Sequence, residues 1–203
     1  MGLPYETQNG ILTPPPIRPN WLQNAINLYS RKFHFIIIPI GIIVAAVHLK
    51  FGVEYFTQCP IQPMIPIYMI VHASVQLGIN LLAIIAVVNV RCNFPPGVEE
   101  YKKLAVIILV IILVSTFVLF LFSFAWLITG SVWVFGAKAN GVQGDNPNVT
   151  NTYCQSDLYK SAFVLLIINY VIHIAIISLI IFKRFCCNRK TPNPSDVSMN
   201  NRI

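Results

Sequence analysis

Tyr68, His72, Gln76 and Asn80 recur every four residues within an otherwise hydrocarbon stretch, and Asn169 and His173 repeat that spacing in another. On a helix such spacing draws a slowly drifting polar stripe along one face. Two kinds of chemistry are open to these intramembrane polar residues. Imidazoles change charge near neutral pH, so His72 and His173 could serve a hydrated or proton-accessible path between two facing ladders. Alternatively the ladders supply interhelical hydrogen bonds that set register, at roughly 0.6 kcal/mol each. No carboxylate, ammonium or guanidinium stands at the membrane-centre positions. That absence favours the hydrogen-bonding reading.

The cysteines offer a second chemistry, and their sorting depends on the elements that carry them. Only 10% of the 203 residues are charged and 56% are hydrophobic, against roughly 25% charged in an average soluble domain. A bilayer core about 30 Å thick needs roughly 20 apolar residues per helical crossing. Four segments qualify, approximately 35–55, 66–90, 104–129 and 161–182. The expected fold is an all-α integral membrane protein, an antiparallel bundle of four transmembrane helices with both termini cytoplasmic. Residues 1–34 form a cytoplasmic N-terminal segment, 35–182 the transmembrane domain, and 183–203 a disordered cytoplasmic tail. The first run follows about thirty polar and proline-containing residues without a sensible cleavage site, so it reads as a retained span rather than a signal peptide.

Orientation follows from the basic residues, which accumulate on the cytoplasmic side. With the termini inside, eleven lie in cytoplasmic segments: Arg18, Arg31, Lys32, Arg91, Lys102, Lys103, Lys183, Arg184, Arg189, Lys190 and Arg202. Only Lys50, Lys138 and Lys160 lie outside. The net charge of +7 is thus a topology signal and an attraction to anionic lipid, not a nucleic-acid footprint.

This topology puts Cys59 and Cys154 on the oxidising side and Cys92, Cys186 and Cys187 on the reducing side. One cysteine per outer loop leaves one intramolecular pairing, so a Cys59–Cys154 disulfide is expected; free thiols or an intersubunit bridge are the alternatives. Pro60, Pro63 and Pro66 stiffen the connector that presents Cys59, and Pro66 suits the first turn of the second span. Cys186 and Cys187 follow Lys183 and Arg184, a setting for S-palmitoylation. The loop from Gly130 to Tyr159 carries the N-glycosylation sequon Asn148-Val149-Thr150.

The stretch "CPIQPMIPIYMIV", preceded by "FGVEYF" and followed by Trp133-Val134-Phe135 and by Tyr153-Cys154, resembles the four-pass proteins of the transmembrane protein 272-like family. The resemblance covers about Lys32 to Phe182, and its most specific part is the block from Cys59 to Tyr68. It implies a four-helix membrane fold and carries no activity. Connexin-like, tetraspanin-like and claudin-like cysteine and tryptophan patterns are absent.

Smaller expectations complete the reading. Asn20 caps an interfacial helix whose apolar face gathers Trp21, Leu22, Ala25, Ile26, Tyr29 and Phe33, with Arg31 and Lys32 at headgroups. Gly41, Ala45 and Gly52 let a neighbour approach the first span. Lys50 and Glu54, four apart, pair. Ser115, Thr116 and Ser123 bond their own helix backbone. No catalytic residue, metal-ligating set or cofactor motif is found, so an enzyme is not expected. The bilayer is the expected partner, with other membrane proteins or self-association as further ones and no nucleic acid. The expected function is that of a structural or adaptor membrane protein with a disulfide-tied extracellular face. A small channel or transporter subunit using the polar ladders of the second and fourth spans is the alternative, and the plasma membrane is the default location.

Overall fold

The computed structural model describes residues 7–8, 11–12, 19–30, 32, 34–94 and 102–187, with side chains described between 19 and 182. Two short strands, β1 (Thr7–Gln8) and β2 (Ile11–Leu12), pair antiparallel ahead of the helices. Five helices follow: α1 (Asn20–Tyr29), α2 (His34–Glu54), α3 (Met64–Asn93), α4 (Lys103–Ala139) and α5 (Ser156–Cys187). The last four are each long and apolar enough to cross a membrane. The chain is therefore an all-α membrane protein with four spans.

Large apolar side chains are exposed along all four spans, because here the hydrophobic exterior meets lipid rather than water. What α2 buries against its neighbours is small or polar, as expected where close backbone approach and hydrogen bonds drive association. On α2 the buried residues are Ala45, His48 and Gly52. A Cβ on Gly41 would lie 2.7 Å from Asn80 Oδ1, and one on Gly52 would lie 2.8 Å from Ile70 Cγ1. The small stripe of α2 is thus the seam against α3, the helix that touches each of the other four.

Two clusters divide the interior. The outer one joins Tyr68 and Met69 of α3, Leu127 and Val134 of α4, and Leu158 and Leu166 of α5 to the two loop cysteines. The inner one joins α1, through Leu22, Ala25, Ile26 and Tyr29, to Val90 of α3 and Leu109 of α4. No α5 residue belongs to this inner cluster, and from Ile174 to Phe182 every α5 residue is exposed.

Several elements differ from the sequence reading. α4 runs on through Ala139, so Gly130 to Tyr159 is not all loop; at 1.5 Å per residue its 37 residues extend about 55 Å. It stops where Gly141 takes φ 73°. The Gly141 N–H then donates to Lys138 O at 3.1 Å and the Val142 N–H to Ala137 O at 3.1 Å, a Schellman closure.

At α1, Pro19 rather than Asn20 precedes the first turn, and its carbonyl accepts the N–H groups of Leu22 and Gln23 at 3.0 and 3.2 Å. Trp21 is 47% exposed and leaves the packed face, which is narrower than its spacing suggested; Phe33 and Arg31 lie outside the described residues, while Lys32 is exposed. Lys50 makes no ion pair with Glu54; its ammonium lies 5.7 Å from the Phe51 ring centroid instead. The Thr116 hydroxyl is buried without a hydrogen-bond partner and does not bond its own helix backbone. The tail beyond Cys187 lies outside the described residues.

Candidate functional site

Two places gather the residues with chemistry: the outer face and a polar layer within the outer half of the bundle. The outer face is built from the two loops. Gln62 N–H closes on Cys59 O at 3.2 Å and Ile65 N–H on Gln62 O at 3.1 Å, so Pro60 and Pro63 sit in tight turns leading into α3. Pro66 falls in the first turn of that helix, as expected.

In the second loop Gln143 acts as an organiser. Its Oε1 accepts the N–H groups of Asp145 and Asn146, both at 2.8 Å. Its own N–H donates to Thr152 O at 2.8 Å, and Cys154 N–H returns to Gln143 O at 3.0 Å.

The loops are joined at three adjacent points. Cys59 and Cys154 form a disulfide, with S–S 2.03 Å. On one side of it Gln155 N–H donates to Gln58 O at 2.8 Å, and on the other Ile61 N–H donates to Tyr153 O at 3.3 Å. Both cysteines are buried, at 2% and 1% exposure. Asn148 is exposed on the same loop, with its backbone N–H held by Asn146 Oδ1 at 3.1 Å. An outer-end contact below the loops links α5 to α4, Tyr159 O–H donating to Val134 O at 3.2 Å.

The polar layer lies beneath. His48 of α2 presents Nδ1 to Val44 O at 2.9 Å and Nε2 to Asn169 Nδ2 of α5 at 3.1 Å. Because an amide nitrogen only donates, His48 accepts at Nε2 and carries its proton on Nδ1. The other Asn169 N–H donates to Leu165 O at 2.8 Å. His173 is buried with Nδ1 against Asn169 O at 2.8 Å, and its ring lies 5.1 Å from Phe120 and 5.9 Å from Phe124 of α4, centroid to centroid. Tyr170 meets Ser131 of α4 at 2.7 Å.

On α3, His72 is 1% exposed and 5.2 Å from the His48 ring, yet neither of its nitrogens makes a hydrogen bond of good geometry. Asn169, His48 and His173 are its polar neighbours. The Tyr68 hydroxyl above it is likewise buried and unpartnered. Tyr68 lies against Gly130 of α4, where a Cβ would come within 2.7 Å of its Cζ, and its carbonyl accepts the Trp126 indole N–H at 3.2 Å.

The two ladders foreseen in the sequence are therefore brought near each other but not joined rung to rung. Asn169 reaches His48, and His173 turns to phenylalanines. Gln76 is half-buried, while Asn80 bonds Gln76 O at 2.8 Å and abuts Gly41. His48 was passed over in the sequence reading, although it continues the Gly41, Ala45, Gly52 stripe. Asn89 was also missed; its Nδ2 donates to Ala105 O at 3.0 Å, tying α3 to α4 at the inner end. Both were visible as polar residues on otherwise apolar faces.

The remaining site residues carry less geometry. Cys186 and Cys187 are in the last helical turn of α5, where side chains are not described. Cys92 is a free, exposed thiol. Among the described residues no group of three His, Cys, Asp or Glu side chains is placed to hold a metal ion. Comparison with known proteins returns no matching family model, no matching curated protein and no matching solved structure.

Proposed function

We propose that the protein is a structural or adaptor membrane protein that presents a rigid outer face to other membrane proteins. The three-point strap between the outer loops carries this reading. A disulfide flanked by Gln155–Gln58 and Ile61–Tyr153 hydrogen bonds fixes loop shape before any partner arrives, which lowers the ordering cost of binding. The resemblance to the transmembrane protein 272-like family agrees with a four-pass architecture of this kind.

A disulfide persists in an oxidising compartment, so the strap belongs on the lumenal or extracellular side, in agreement with the charge bias. Asn148 is then available for glycosylation, and the termini, with Cys186 and Cys187 as palmitoylation sites, face the cytosol. The plasma membrane is the proposed destination. Affinity capture from native membranes, comparing the wild type with Cys59→Ser, tests the proposal: a reproducible partner that the variant loses supports it, and indifference of every partner to the variant refutes it.

A second reading, a small channel or transporter subunit, is favoured by one observation: Tyr68 and His72 keep unpartnered polar atoms in the layer between helices. Ion and proton flux across liposomes separates the two. Flux that His72→Ala abolishes, absent from protein-free vesicles, would make the layer a pathway. Silence under several gradients and voltages leaves it as packing.

A further inference from the structure

We propose that a diacyl anionic phospholipid binds astride the outer end of α5, its phosphate held by Lys138 and Lys160. Two of the three outer lysines line one crevice between α4 and α5. This crevice, about 170 Å3, is walled by Lys138, Lys160, Tyr159, Phe163 and Val164. A second crevice of about 270 Å3 lies between α2 and α5, where Val47, Ser161 and Leu165 meet the same Lys160 and Val164. Lys160 and Val164 are four residues apart and so form one ridge, with an apolar furrow on either side. That is the shape a two-chain lipid fits, one chain per furrow and the headgroup over the ridge.

Charge supplies the second argument. Neither Lys138 nor Lys160 forms an ion pair among the described residues. Lys138 does not extend freely into solvent; its ammonium lies 5.3 Å from the Phe163 ring centroid, over the crevice. Both ammonium groups stand at the end of their helices, at the level where lysine stems run along apolar surface and the charged head sits among lipid phosphates. Apart from Ser161 and the Tyr159 hydroxyl, which is engaged with Val134 O, the furrows are lined by Val47, Phe163, Val164 and Leu165, an apolar bed for an acyl chain. The proposal is independent of the adaptor reading, since it concerns the lipid-facing flank and not the loops.

The test is native mass spectrometry of the purified full-length protein in detergent with added dipalmitoyl phosphatidylglycerol. Dipalmitoyl phosphatidylcholine, glycerol phosphate and inorganic phosphate are the comparison ligands. A lysine near an anionic lipid surface contributes roughly fivefold in affinity, so Lys138→Gln/Lys160→Gln should bind phosphatidylglycerol about 25-fold more weakly than the wild type.

Lys50→Gln, whose ammonium lies over Phe51 outside both crevices, should bind as the wild type does. Val164→Trp at a half-exposed position fills the furrows while leaving the charges, and should also lose the lipid. An oxidised Cys59–Cys154 bridge on a non-reducing gel certifies that each variant is folded. The proposal is overturned by equal retention in the double variant, by equal loss in Lys50→Gln, by undiminished binding in Val164→Trp, by equal affinity for phosphatidylcholine, or by competition from inorganic phosphate alone.

Discussion

His72 and Asn169 are neighbours in one buried layer, and the structure assigns them opposite signs on replacement by leucine. Neither His72 nitrogen makes a hydrogen bond of good geometry, with Asn169 beside the ring, and each buried unsatisfied group costs roughly 1–3 kcal/mol. Against this stand its ring contacts with His48 at 5.2 Å and Tyr68 at 5.8 Å, each worth about 0.5–1.5 kcal/mol. His72→Leu keeps most of the apolar volume and removes the orphaned nitrogens, for a net gain of about 1 kcal/mol. Asn169→Leu removes the donor to His48 Nε2, so a buried acceptor is left unmade; intramembrane hydrogen bonds average about 0.6 kcal/mol with a ceiling near 1.7, and the orphaned imidazole brings the loss to about 1–2 kcal/mol.

At roughly 2–4 °C per kcal/mol for a chain of this size, His72→Leu should melt about 3 °C above the wild type and Asn169→Leu about 5 °C below. Scanning fluorimetry in a single detergent, without reductant, reads both. A His72→Leu protein that melts several degrees lower would refute the reasoning. It would show that the His72 nitrogens are satisfied in the membrane, by water or a bound polar group, and that the layer works as a network.

Three further outcomes follow from single contacts. Gly130→Ala gains helix propensity of about 1 kcal/mol but drives a methyl into the fully buried Tyr68 ring, so a net loss of about 1–2 kcal/mol is expected, relieved when Tyr68 is also replaced by leucine. Cys59→Ser should abolish the mobility difference between reduced and non-reduced gels and expose the Asn148 loop to protease, while leaving the four spans inserted. Burial pushes the Tyr29 phenol above its ordinary value of 10.0. The neutral form is the one that docks, so α1 holds fully below that value and is released as pH rises through the higher folded pKa. An alkaline step in α1 proteolysis that Tyr29→Phe removes would verify this, and a step that persists in the variant would contradict it.

The disulfide was legible because topology did the sorting: four spans with a charge bias leave one cysteine in each outer loop. The helical rotations were not legible. A four-residue polar period shows that Tyr68, His72 and Asn80 share a face of α3 but not which helix that face meets. The answer came from Gly41 and Gly52, whose missing side chains admit Asn80 and Ile70 and so turn α2, with His48 in the same stripe, toward the layer. Gly130 misled for a related reason. In a sequence it reads as the end of a helix, whereas in the bundle it is the place where Tyr68 lies flat on α4, and α4 continues for nearly three more turns because Val134 and Ala137 are buried against the outer cluster.

The distribution of these contacts makes the two ends of the bundle mechanically unlike. At the outer end α5 is held by the disulfide, by Tyr159 on Val134 and by Asn169 on His48, so the loops and the helix ends are tied together. At the inner end α1 takes a place on α3 and α4 through Tyr29 and Leu22, and α5 from Ile174 to Phe182 has no buried residue. Freedom in such a structure concentrates where buried contacts are few. The inner half of α5 should therefore be the mobile part of the transmembrane domain, pivoting near His173, whose ring is clasped by Phe120 and Phe124. A partner bound at the disulfide end would meet a fixed surface, and any response transmitted to the opposite end through α5 would pass that pivot.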